Sequence, residues 1–232
     1  MEPNLILQGY ALLLLLGLPA LAARDAGRVS GVERAAEFRR PIYISIAFSL
    51  FLIAAVTFAI ARWQGLSGEA VGWRAVPAGR ALGWATGVAL TGLFMAWALT
   101  LMGQRFGLSE GRLAHLLMPR NAREKRAFLV LAGIGALCEE YVYRGFLLHV
   151  VTGWSGNVWV GVGVTSASFG LAHGYQKLLG ALRATLLGLL MALPVVFTGS
   201  LLPAIEAHFW INAVIGLGAW RWLIAVREEE SA

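Results

Sequence analysis

Seven apolar runs, at residues 5–23, 42–61, 81–102, 127–150, 157–174, 179–198 and 201–225, dominate the 232-residue chain. They restrict it to a membrane-embedded fold. A hydrocarbon core about 30 Å thick takes roughly 20 helical residues to cross, which is the length of these runs. They are continuously apolar rather than alternating, and in lipid a helix satisfies its own backbone hydrogen bonds. The pattern therefore predicts an all-α, polytopic transmembrane helix bundle of about seven spans. A chain with 58% hydrophobic and only 14% charged residues is far poorer in charge than a soluble domain of this size.

Charge placement predicts the orientation. Short cytoplasmic loops are enriched in Lys and Arg. Residues 24–41 hold Arg24, Arg28, Arg34, Arg39 and Arg40, and residues 103–126 hold Arg105, Arg112, Arg120, Arg123, Lys125 and Arg126. With Lys177, Arg183 and Arg227 these make fourteen on one side, against Arg62, Arg74 and Arg80 on the other. An outside N-terminus and a cytoplasmic C-terminus account for the asymmetry. The start, Met1 to Asn4, carries Glu2 and no basic residue, so the first run reads as an uncleaved anchor although Ala20-Leu21-Ala22 resembles a signal-peptide cleavage site. The basic loops would face anionic lipid; no basic soluble module is present to bind nucleic acid. Seventeen Arg against two Lys, with abundant Ala, Gly and Leu, point to a GC-rich bacterial genome and hence to a bacterial inner membrane.

Against this background the segment LCEEYVYRGF, residues 137–146, stands out. An ionised group at the centre of a membrane helix costs on the order of 3 kcal/mol on insertion scales, so Glu139, Glu140 and Arg144 need partners and a purpose. Glu140 and Arg144 share a helix face in the order that favours an ion pair. Glu139 falls about 100° away, on the face of Tyr143, and is left to hold a water or a proton. Two further pairs with the same spacing follow, Phe169 with His173 and His208 with Asn212. His173 could share a water with Glu139, and His208 and Asn212 could direct N–H groups at a developing oxyanion.

The remaining polar residues read more plainly. Cys138 is expected to be a packing residue and His149 a structural or interfacial one. Glu206 stays open between a structural and a functional role, because it precedes His208 by two positions and faces elsewhere. Arg183 and Arg221 are expected to snorkel to an interface. Gly83 and Gly87 form a small-residue pair expected to serve packing.

Glu139-Glu140-x-x-x-Arg144, Phe169-x-x-x-His173 and His208-x-x-x-Asn212, in this order, resemble the motifs of the CAAX-prenyl-protease-type intramembrane proteases, the CPBP or Abi family, and the resemblance covers roughly residues 127–222. It implies a glutamate-dependent, membrane-embedded endopeptidase acting on a membrane-associated or lipidated protein. Glu139 and His173 would activate water, and His208 and Asn212 would stabilise the oxyanion. Glu140, Arg144 and Phe169 would support the site. Members have been described as metalloproteases, but the chain has no HExxH motif. Glu139, Glu140, His173 and His208 could in principle supply a His/carboxylate site for a metal such as zinc, and metal-independent chemistry is expected. A bacterial origin disfavours a prenylated substrate.

The implied organisation is 1–126 as accessory helices and basic loops, 127–225 as the protease core, and 226–232 as a cytoplasmic tail. Two other readings stay open: a proton-coupled transporter or channel using the intramembrane Glu and His residues, and an inactive family member serving as an immunity or binding scaffold. One difficulty attends the protease reading. Glu139 falls about 18 Å from the basic end of its run, His173 near that end and His208 nearer the other. Strong tilting, or a helix continuing through Gly174 past Lys177, would be needed to bring them together.

Overall fold

The structure, a computed structural model, describes residues 5–26 and 38–224. Met1 to Asn4, Arg28, Arg34, Arg227 and the expected tail at 226–232 lie outside the described residues. The described chain is helical, in the order α1 (Leu5–Ala26), α2 (Arg39–Trp63), α3 (Ala78–Arg105), the short α4 (Arg112–Leu116), α5 (Ala122–Glu140), a π-helical stretch (Tyr141–Leu147), α6 (Leu148–Ser155), α7 (Val158–Ala172), α8 (Lys177–Thr198), α9 (Leu202–Val214), a second π stretch (Ile215–Ala219) and α10 (Trp220–Leu223). Among the described residues, five helical segments are long and apolar enough to cross a membrane: Leu5–Arg24, Arg39–Trp63, Ala78–Arg105, Gly174–Thr198 and Leu202–Leu223. The other two expected runs are the continuous charged helix from Ala122 to Ser155 and the 15-residue α7.

Local chemistry sets the boundaries. Asn121 caps α5 by accepting from the Glu124 amide, while the Glu124 carboxylate accepts from the Arg120 amide, which satisfies donors that every helix start leaves free. Gly156, in the left-handed region, ends α6, and the Asn157 side chain caps α7 at the Trp159 amide.

The connections segregate onto two faces of the bundle. On one, Arg39 Nε donates to Leu116 O, Tyr43 Oη to Leu117 O, and the Gly111 amide to Gln176 O. On the other, the Leu201 amide donates to Gly72 O and Ser200 Oγ to Arg74 O. The core forms where α8 packs on α7, α9 on α3 and α5, α2 on α5, and α1 on α7. Ser168 Oγ ties α7 to α1 at Leu15 O.

A helix continuing through Gly174 does not resolve the depth difficulty. The helix carrying His173 does end at Ala172, and the chain reverses through Gly174–Gln176 and the left-handed Lys177. Residues 122–155 and α7 instead form an antiparallel hairpin about the Ser155–Val158 turn. Glu139 and His173 each lie roughly 23 Å along their helices from that turn, at about 1.5 Å per residue, so they meet at one depth. His208 is only about 9 Å into α9, but the start of α9 is sunk into the protein. Ser200 and Leu201 are fully buried, held by the 72–74 segment.

Three minor expectations fail. Arg183 is buried rather than snorkelling, because a counter-charge reaches it inside the fold. Among the described residues nothing packs on Gly83 or Gly87, where an added Cβ would meet no atom within 4 Å; they line an open groove beside Trp84 and Leu190. The run at 127–150 is not a uniform α-helix but widens into a π turn immediately after Glu140.

Gly145 lies in that π stretch, and a Cβ there would stand 2.8 Å from Val71 O, a backbone atom. Gly145→Val should lower stability by about 1–3 kcal/mol, the usual cost of overpacking. Gly153→Val, at a position with open space, should cost less. Thermal unfolding of both variants in detergent checks this.

Candidate active site

Burial of a carboxylate without compensation is prohibitive, and Glu140, with no exposed surface, shows how this fold compensates it. Its Oε1 accepts from Arg144 Nη1 at 3.2 Å and from His208 Nδ1 at 2.8 Å. The ion pair expected from the i, i+4 spacing is present, but Glu140 also reaches across to α9. The π turn that begins at Tyr141 widens the helix where it presents both glutamates to α9, and π turns recur at functional positions.

His208 thereby bridges the glutamates, with Nε2 lying 3.7 Å from Glu139 Oε2. An ionised carboxylate only accepts, so Nδ1 carries the hydrogen in the bond to Glu140. Neutral His208 then offers Nε2 as an acceptor toward Glu139; as an imidazolium it offers a donor. Glu139 keeps 19% of its side chain exposed and is the more accessible of the pair.

Phe169 is the platform of the site. The Arg144 guanidinium carbon lies 4.5 Å from its ring centre, in reach of a cation–π attraction. The His173 ring is at 4.5 Å, Tyr143 at 5.0 Å and His208 at 6.3 Å. Arg144 fits because Gly188 has no side chain: a Cβ there would stand 2.9 Å from Nη2.

His173 caps the end of α7 and donates from Nδ1 to Phe169 O at 2.8 Å. A backbone carbonyl can only accept, so in the neutral ring Nε2 carries the free lone pair.

Two cavities meet at this point. One, of about 610 Å³, is walled by apolar residues of α1, α2 and the α4 region, among them Leu18, Ile42, Ile46 and Leu117. The other, of about 240 Å³, is more polar and is lined by His208 and Asn212 of α9 and by Gln176 and Arg183. Glu139, Phe169, His173 and Tyr175 line both. Asn212, one turn beyond His208, is half-buried and faces the polar chamber.

Every expected site residue thus lies in one region: Glu139, Phe169, His173, His208 and Asn212 on cavity walls, with Glu140 and Arg144 behind them. His149 lines neither cavity, Glu206 is exposed, and Cys138 is buried in the apolar wall. Sequence reasoning missed Tyr175 and the Glu110–Arg183 pair. The signals were present as a lone glutamate in a basic loop and an arginine inside an apolar run, but nothing in the sequence pairs them.

Glu140, one of the four candidate metal ligands, is already engaged by Arg144 and His208. The His208 nitrogen nearest it carries hydrogen, and among the described residues no three His, Cys, Asp or Glu side chains gather as a ligand group.

Residues 124–214, which contain all seven motif residues, match the family model of type II CAAX prenyl endopeptidase Rce1-like proteins. No curated protein and no solved structure matches the chain. The matched segment is the one that supplies the Glu139–Glu140–His208 contact and His173, and over it the chain is similar to the CAAX protease, or CPBP, family of membrane endopeptidases.

Proposed function

We propose that the protein hydrolyses a peptide bond of a membrane-associated or lipidated protein, using water held by Glu139 and His173. The observation that carries this reading is that Glu139 and His173, from antiparallel helices, both line the wall common to an apolar and a polar cavity. A carboxylate and a bare imidazole nitrogen together can accept the two protons of one water and aim its oxygen at a carbonyl. As the carbon–oxygen bond forms, one water proton passes to Glu139 and the carbonyl oxygen becomes an oxyanion. When the carbon–nitrogen bond breaks, the proton on Glu139 passes to the departing amine, so the carboxylate is regenerated.

The Asn212 amide supplies one N–H donor for the oxyanion, and His208, as an imidazolium, supplies a second from Nε2. Glu140 is a positioning residue: its bond to Nδ1 fixes the ring, and Arg144 and Phe169 fix Glu140. The apolar cavity suits an aliphatic chain or apolar side chains beside the scissile bond. Charge asymmetry supports a cytoplasmic basic face, with Arg39, Arg120 and Lys125, in a bacterial inner membrane.

Cleavage of lipidated or membrane-anchored peptides by the reconstituted protein is the direct test. Glu139→Gln and His173→Ala should each lower kcat/KM by about 10²–10⁴, the usual contribution of a general base. Undiminished cleavage in both variants would sink the assignment. A strong chelator should leave the wild-type rate unchanged; abolition of activity, restored by a divalent ion, would overturn the metal-independent route.

Glu140→Gln removes the charge that faces buried Arg144, so thermal unfolding should show about 3–5 kcal/mol lost, the range for breaking a buried pair. An unaltered melting transition would contradict the positioning role.

A further inference from the structure

The polar chamber holds a second charged pair that the proposed reaction does not use. Arg183, on α8, is 6% exposed and lines the chamber with His173, His208 and Asn212. Its Nη1 lies 2.6 Å from Oε1 of Glu110, which is 2% exposed. Its Nη2 donates to Thr100 Oγ1 at 2.9 Å and lies 3.5 Å from Ala96 O. Its buried Nε has no hydrogen-bond partner among the described residues.

Glu110 is carried on the connection between α3 and α4, and the next residue locks that connection to the site. The Gly111 amide donates to Gln176 O, and a Cβ at Gly111 would stand 2.5 Å from Tyr175 O. Tyr175 and Gln176 immediately follow His173. A guanidinium is a planar fork matched to a carboxylate, and here Glu110 engages one arm of it while another donor faces no partner.

We propose that Arg183 is a specificity-determining subsite for a carboxylate of the substrate, on the side of the scissile bond that occupies the polar chamber, and that Glu110 is its internal surrogate until substrate displaces it. The inference rests on the hydrolase reading of the chamber. The carboxylate is either a chain terminus or an acidic side chain, and both present the same two oxygens to the fork. Because a buried arginine left without its partner is costly, exchange of one carboxylate for another keeps the charge compensated throughout.

Three fluorescent, N-acylated pentapeptides of small apolar residues test this, one ending in a free acid, one in an amide, and one in an amide with glutamate as its last residue. Binding is measured to the Glu139→Gln protein in nanodiscs, so that turnover plays no part. One or both anionic peptides should bind at least about ten-fold tighter than the neutral amide, and which of them does so identifies the source of the carboxylate. Arg183→Gln in that background should level the three affinities, and Arg183→Lys, which keeps the charge but not the fork, should lose most of the preference. Glu110→Gln, which leaves Arg183 in place, should tighten anionic binding several-fold and allow the anionic peptide to raise the melting temperature more than it does with Glu110 present. Equal or absent binding of all three peptides overturns the subsite, as does a preference that survives in Arg183→Gln. Either result beside intact wild-type cleavage leaves the hydrolase reading standing. Anionic preference with no cleavage by the wild type overturns the hydrolase reading instead.

Discussion

The carboxylate of Glu140 is the point on which the site depends. Placed inside a membrane helix with no exposed surface, it has no water to solvate it and must be solvated by protein. One oxygen takes a proton donor from Arg144 on its own helix and another from His208 on α9. Arg144 in turn rests on Phe169 of α7. A single buried charge therefore joins three helices, and satisfying it fixes the His208 ring and, through that ring, the position opposite Glu139. Two adjacent glutamates acquire different characters: Glu140 is enclosed and saturated, and Glu139 is left at a cavity wall.

Backbone irregularity makes that contact possible. The chain from Ala122 to Ser155 turns π-helical just past Glu140, and the 64–77 connection presses into the widened stretch so closely that only glycine fits at position 145. The same connection grips Leu201 and Ser200 and draws the start of α9 inward. Without this sunken turn His208 would sit near the opposite face of the bundle. Irregular backbone at this depth is tolerated because the protein encloses it.

The first three long helices also shape the site. Residues of α1 and α2 wall the apolar cavity, while the loop after α3 brings Glu110 to Arg183 in the polar one. A substrate spanning both cavities would meet an apolar environment on one side of Glu139 and a charged, hydrogen-bonding one on the other.

The helical membrane class is legible in the sequence, because runs of about 20 apolar residues satisfy their backbone in lipid as helices. So is the Glu140–Arg144 pair, since spacing along one helix is a local property. Residue chemistry and motif order singled out Glu139, His173, His208 and Asn212. How these residues meet is a matter of tertiary packing. The bond between Glu140 and His208, the pairing of Glu110 with Arg183, the common depth of Glu139 and His173 and the open groove at Gly83 and Gly87 all depend on how distant segments pack. Helical periodicity also assumed a constant 3.6 residues per turn, and the π turn departs from it where the glutamates point. Local periodicity carries information over a few turns of one helix, whereas a buried charge selects its partner from whatever the packing brings within about 3 Å.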